Sequence, residues 1–213
     1  WNGSYLESGK SHSLVKTSPG LLNWTGTAST ITGKVLAKDG MLQISNFGAF
    51  NPTSIWTGLV GMGLSTASGA FAYAGTGTTS VKLFDLQGTT GNGMILANQT
   101  DGAPLILGAG VMASGIGSKT LVLGGTALAG GSLSGLISDS AGGGQTSLFK
   151  MDPGVWTYLP PAPTLAGTVS VVSGSGAASS LVVSSTAGIL VGSTVTLTVG
   201  ASAVIPSSTV VTA

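Results

Sequence analysis

From Pro153 to Ala213 the chain carries no charged side chain. Those 61 residues read as one β-prone run after another: Thr168–Val172, Ser180–Ser184, Ser193–Val199 and Ser208–Thr212. Few folds accept such a stretch as free surface. An unpaired sheet edge is a template for another chain, and soluble monomers keep charge on exposed edges for that reason. Uncharged strands rich in Val, Thr, Ser and Gly are therefore expected to be covered, and the nearest cover is another subunit. The competing reading is a solvated Ser/Thr/Gly stalk.

Charge is scarce throughout. Charged residues make up 6% of the chain, against about a quarter in an ordinary globular domain. Arg and Cys are absent, and His12 is the single histidine. Low charge signals disorder only when hydrophobicity is also low. Here mean hydropathy is +0.51, enough to build a core. A net charge of +1 with scattered lysines offers no electrostatic footprint for nucleic acid. No run approaches the ~18 apolar residues of a membrane-spanning helix. The start does not read as a signal peptide, and an opening Trp1 in place of Met reads as a piece of a longer product. Without Cys there are no disulfides and no thiolate metal sites.

Short alternating runs recur at Lys34–Ala37, Leu42–Ile44, Val81–Leu86, Met94–Ala97, Leu105–Leu107, Thr120–Leu123 and Leu133–Ile137. Each is bounded by Gly, Asn, Asp or Ser, the signature of strands and turns. No helical period survives between them, so the chain is expected to be all-β. An internal repeat adds an architecture. Ser13-Leu14-Val15-Lys16-Thr17-Ser18-Pro19-Gly20 aligns with Ser147-Leu148-Phe149-Lys150-Met151-Asp152-Pro153-Gly154. The same offset of 134 pairs Thr30 with Thr164, Gly33 with Gly167 and Val35 with Val169. Repeats imply stacked units, none able to bury its own face alone. Chance agreement in a Gly/Ser/Thr/Val-rich chain is the bland alternative.

These segments resemble the autotransporter-associated β-strand repeat of large bacterial surface proteins. The resemblance rests on Thr120-Leu121-Val122-Leu123-Gly124-Gly125, Leu136-Ile137-Ser138-Asp139, Ser147–Lys150, Gly154-Val155-Trp156 and Gly167-Thr168-Val169. An N-terminal copy runs through Leu14-Val15-Lys16, Gly20, Trp24, Gly33-Lys34-Val35 and Gly40–Ile44, with Phe71–Gly75, Phe84–Leu86 and Leu105–Leu107 as spacer rungs. It covers roughly residues 10–170. Pro19, Pro153 and the Pro160-Pro161-Ala162-Pro163 cluster depart from the pattern. The resemblance implies a right-handed parallel β-helix, an extracellular address at a bacterial surface and no catalysis in the repeat itself. A separate phrase, Ser180–Val183 to Gly188–Gly192 to Val195–Leu197 to Ile205–Val211, looks like a small β module of bacterial and phage surface proteins.

Chemistry-bearing residues are few. Glu7, Asp39, Asp85, Asp101, Asp139 and Asp152 are isolated acids, mostly beside Gly or in turns, and read as turn residues. Paired carboxylates for glycoside hydrolysis must lie ~5–10 Å apart, which the spacing does not indicate. His12 sits in a polar Lys-Ser-His-Ser turn, and no Gly-x-Ser-x-Gly elbow accompanies it. Gly115–Thr120 resembles a phosphate loop only faintly, because Ser118 stands where Gly must precede the Lys. Asn2, Asn23 and Asn98 match the glycan acceptor triplet, which is common by chance in such a chain. Trp24 and Trp156 are read as packing within rungs, whereas Trp56 in the Pro52–Gly58 loop is kept for an interface or ligand.

The expected organisation is a β-solenoid over 1–159, a Pro-rich linker at 160–163 and an uncharged β tail over 164–213, with a β-sandwich as the alternative. No enzymatic activity, cofactor or metal is expected. The expected role is a structural subunit of an extracellular filament or adhesin-like assembly that self-associates by strand addition. Its interface residues would be Trp56, Val183, Val195, Leu197, Val199, Val210 and Val211. A carbohydrate-binding adhesive module is the alternative role.

Overall fold

The structure, a computed structural model, describes residues 11–26, 31, 33–47, 59–140 and 142–161, with the strand backbones of 171–173 and 182–183. The chain divides into two compact units, Trp1–Pro160 and Pro161–Ala213. The first is a parallel β-solenoid of about four full turns. Its strands follow one another around three faces. The opening turns contribute β1 (Leu14–Lys16) and β2 (Leu21–Trp24), then β3 (Val35–Ala37) and β4 (Gly40–Ile44). Next come β5 (Val60–Met62), β6 (Gly69–Tyr73) and β7 (Thr78–Ser80), followed by β8 (Phe84–Leu86), β9 (Gly93–Ala97) and β10 (Leu105–Leu107). The last strands are β11 (Val111–Met112), β12 (Lys119–Gly124), β13 (Gly131–Leu133), β14 (Thr146–Lys150) and β15 (Trp156–Tyr158).

The first face stacks β1-β3-β5-β8-β11, the second β2-β4-β6-β9-β12-β14 and the third β7-β10-β13-β15. Every strand pairing in this unit is parallel, and an isolated parallel bridge from Val111 to Ile137 carries the first face one turn further. Among the described residues of this unit the sandwich alternative, built from antiparallel hairpins, does not form. In the second unit β16 (Val171–Ser173) runs antiparallel to β17 (Val182–Val183).

Strand alternation sends every second residue inward, and parallel register stacks those residues into columns. One column runs Leu22, Leu42, Phe71, Ile95, Leu123; another runs Val35, Val60, Phe84, Val111. From Leu42 to Ile95, and from Val35 to Phe84, these side chains are fully buried. Rings lock the middle turns together: Phe47 stacks on Tyr73 with centroids 5.1 Å apart, and Phe71 meets Phe84 edge-on at 5.3 Å. Each fully buried side chain of this size contributes about 1.5–3 kcal/mol relative to exposure.

Corners cannot use the strand ladder, so side chains satisfy their backbone groups. The Asn92 N–H donates to Ser68 Oγ (3.2 Å), and Asn92 Oδ1 accepts from the Thr120 N–H one turn on (2.8 Å). Asn98 Oδ1 likewise takes the Thr126 N–H (3.0 Å), and Ser118 Oγ takes that of Gln145 (3.1 Å). The solenoid thus needs few ion pairs. Turn joins turn through backbone bonds on the faces and polar side chains at the corners.

Candidate functional site

Two features stand out from the apolar columns: a buried polar corner, and the end of the stack at β14 and β15. The corner centres on Asp85 in β8. Phe84 and Leu86 point into the core, so Asp85 faces outward, yet it is almost fully buried. Its Oδ1 accepts from the Ser114 N–H (2.9 Å); its Oδ2 accepts from Ser114 Oγ (2.7 Å) and from Gln87 Nε2 (3.0 Å). Lys119 opens β12 nearby, also buried, and its ammonium donates to the Gly115 carbonyl. Burial pulls the Lys119 ammonium below the ordinary lysine range, and the Asp85 charge opposes that shift. A Ser–carboxylate pair without a histidine beside it lacks the base of a nucleophilic triad. The lysine of the phosphate-loop-like turn is folded onto its own loop, away from any solvent-facing anion site.

The other acids are likewise held by main-chain donors. Asp101 accepts from the N–H groups of Gly77 (2.8 Å) and Ala103 (3.2 Å), which hold its carboxyl below the usual range, the Gly77 bond foremost. Asp139 Oδ1 takes the Thr146 N–H (2.7 Å), and Asp152 Oδ2 takes that of Gly125 (3.1 Å). The Asp101, Asp139 and Asp152 carboxylates stitch corners together, whereas Asp39 contributes its main-chain carbonyl, which accepts from Lys16 Nζ (3.1 Å). Among the described residues no group of three His, Asp or Glu side chains could hold a metal ion. His12 is exposed on the first turn, its carbonyl taking the Gly33 N–H.

Trp24 lies in the core, and Trp156 is half-buried with its indole N–H on the Gly124 carbonyl (2.8 Å). Tyr73 is buried with its hydroxyl on the Thr76 carbonyl (2.7 Å); burial, with the Asp101 charge second, raises its pKa. Asn98 and Asn23 each use Oδ1 for a bond between turns, Asn23 to Gln43 Nε2 (3.2 Å). Of the expected interface residues, Val183 lies in β17, with its backbone opposite Val171. Trp56, Val195, Leu197, Val199, Val210 and Val211 lie outside the described residues, as do Glu7 and Asn2.

A stack of this kind ends in open edges, which need a cap or a partner. Leu148 continues the column of the fully buried Leu121, and Tyr158 that of the fully buried Leu133, yet they are 45% and 36% exposed. Phe149, Val155 and Leu159 are exposed beside them. Among the described residues β14 pairs only with β12, and β15 only with β13. No protein-family model, curated protein or solved structure matches the chain. Among the described residues no helix is long and apolar enough to cross a membrane.

Proposed function

We propose that this chain is a non-enzymatic structural segment of a bacterial extracellular surface assembly, filamentous or adhesin-like, whose copies associate through uncharged β-strands. The observation that carries this reading is the charge-free stretch from Pro153 to Ala213, which follows a solenoid built from stacked backbone. Strands added to a neighbour's open edge gain main-chain hydrogen bonds along their length and bury their Val and Ile faces. Two carboxylates support the non-enzymatic part: Asp85 and Asp101 have both oxygens bonded within the fold, where a general base would present a free oxygen to substrate. The bacterial surface address rests on the resemblance to the autotransporter-associated repeat.

Truncation after Pro163 tests the reading. The full chain is expected to assemble at concentrations where the shortened one does not, followed by light scattering and electron microscopy. Val195→Lys or Val210→Lys should block assembly as truncation does, since a charge in a donated strand has no partner. Assembly unchanged by all three would make the tail a stalk and sink the proposal. Glycan binding that Trp56→Ala abolishes would favour the carbohydrate-binding module instead.

A further inference from the structure

The corner after β14 gathers a carboxyl, a proline and an ammonium around one peptide bond. β14 ends at Lys150, and Met151-Asp152-Pro153-Gly154 turns the chain toward β15. The preceding turn clamps this corner on both sides. The Met151 N–H donates to the Leu123 carbonyl (3.0 Å), and the Gly154 N–H to that of Gly125 (3.0 Å). Between the clamps Asp152 takes a φ of 62°, a conformation that residues other than glycine seldom adopt. Its Oδ2 accepts from the Gly125 N–H (3.1 Å), and among the described residues its Oδ1 takes no hydrogen bond.

Lys150 Nζ donates to the carbonyls of Met151 (2.5 Å) and Asp152 (2.6 Å). The second bond sets a positive charge on the oxygen of the Asp152–Pro153 peptide bond. That oxygen becomes an oxyanion when its carbon is attacked, and a charged donor already aimed at it stabilises the change. The nucleophile lies in the same residue. A carboxyl oxygen of Asp152 closes a small ring on the Asp152 carbonyl carbon, so the reacting groups need no encounter. Pro153 is the leaving group: its nitrogen carries no hydrogen, and once expelled it is a secondary amine that readily takes a proton. The other copy of the phrase has the same frame without the carboxyl. Lys16 Nζ donates to the Ser18 carbonyl, as well as to those of Thr17 (3.2 Å) and Asp39 (3.1 Å). Ser18 has a φ of 71°, and Pro19-Gly20 follows it.

We infer that the Asp152–Pro153 bond is a self-cleavage site, with Asp152 as nucleophile and Lys150 as the oxyanion partner. In the acid form of Asp152, Oδ1 attacks the Asp152 carbonyl carbon. The new C–O bond forms, the C–N bond to Pro153 breaks, and the carboxyl proton passes to the Pro153 nitrogen. One water then opens the cyclic anhydride, which the exposed position of Asp152 allows. Asp152 is left as a C-terminal residue with two carboxyls, and Pro153 as a new N-terminus. The cut falls at the first residue of the charge-free stretch, so it divides the chain where its composition changes. β15 belongs to the released piece, and its pairing with β13 holds the two products together in the fold. Cleavage occurs once per chain and is not turnover. It is independent of the proposed function, since strand addition requires no cut.

The test follows the intact full chain by mass spectrometry in mildly acidic buffer, both folded and unfolded in urea. The expected products are residues 1–152 and 153–213. Any Asp-Pro bond hydrolyses slowly in acid, so the comparison with urea is decisive. The folded chain should cleave about ten-fold or more faster than the unfolded one. Asp152→Ser, which copies the residue of the sister corner, should leave the bond intact. Lys150→Met should slow the folded reaction about ten-fold, through loss of the oxyanion partner, and leave the rate in urea unchanged. Ser18→Asp gives the sister corner its missing carboxyl and should add a second cut ahead of Pro19. Circular dichroism verifies that each variant keeps its β spectrum. Folded cleavage no faster than in urea, or a folded rate indifferent to Lys150→Met, overturns the inference. Should Lys150→Met lose the β spectrum, Ser18→Asp carries the test, and no folded-state cut ahead of Pro19 then overturns it.

Discussion

At the residue scale, polar side chains in this protein replace backbone partners that the corners lack. Asp101 is an example. Its carboxylate bridges the N–H groups of Gly77 and Ala103 across two turns of the third face's entry corner, and those bonds hold its pKa below the ordinary 3.8. A carboxyl whose folded-state pKa is depressed adds stability above its unfolded value, and loses that contribution as pH falls through the folded one. Asp101→Asn keeps one acceptor oxygen and removes the titration. Wild type should therefore be more stable than Asp101→Asn at neutral pH. The gap should close as pH drops below 3.8, read by urea denaturation of both proteins across the acid range. A gap that persists undiminished in acid would show that the Gly77 and Ala103 bonds do not depend on the carboxylate charge. Lys119 is the opposite case. Its buried ammonium costs stability at neutral pH, and that cost is relieved as pH rises from its lowered pKa toward the unfolded value.

At the element scale, a strand here is chosen by what stacks on it. Gly131 in β13 pairs in register with Trp156 of β15, and a Cβ at 131 would lie 2.6 Å from the indole Cη2 and Cζ3 atoms. The ring fits against the stack because residue 131 has no side chain, which also lets its N–H reach the Gly124 carbonyl. Gly131→Ala should cost about 1–3 kcal/mol, an overpacking penalty, and shift tryptophan emission as the indole is displaced. The same change in a Trp156→Ala background should cost far less, because the clash is gone. Equal costs in both backgrounds would mean that Trp156 does not constrain Gly131. Stacking also decides which strands could be read from sequence. Leu105–Leu107 alternates and is legible, and β10 has those bounds. Thr78–Ser80 is polar and carries no apolar alternation, although it forms β7 by pairing with β10. Val81–Leu86 reads as one run, but Val81 is a corner residue, 78% exposed, and β8 begins only at Phe84. Trp156 reads as rung packing from its phrase, whereas the empty position beneath it belongs to a turn 25 residues earlier and has no sequence signal.

At the scale of the whole molecule, the stack explains why the repeat was visible and its meaning was not. Turns are of unequal length: twenty residues separate the register partners Leu22 and Leu42, and twenty-nine separate Leu42 and Phe71. No fixed period survives that variation. The phrase at Ser13–Gly20 and Ser147–Gly154 persists because it encodes a corner, which suits the passage from first to second face as well as that from second to third. All-β class and stacked strands follow from alternation and repetition; which residues share a column follows only from register. The tail that carries the interface expectation lies largely outside the described residues, so that reading stands on composition. The stack itself makes a further prediction. Each turn rests on the ones above and below, so stability should approximate nearest-neighbour terms and be greatest where a turn has two neighbours. Strands β6 and β9 lie between partners on both sides and line the fully buried columns. Their amides should exchange slowest with deuterium. Those of β1 and β2, and of β14 and β15, partnered on one side among the described residues, should exchange fastest, with a graded rise from the centre outward. Mass spectrometry of peptides spanning 69–73, 93–97, 14–24 and 146–158 reads that gradient directly. Uniform exchange across the four would mean the solenoid opens in one cooperative step, and the nearest-neighbour account of its stability would have to be abandoned.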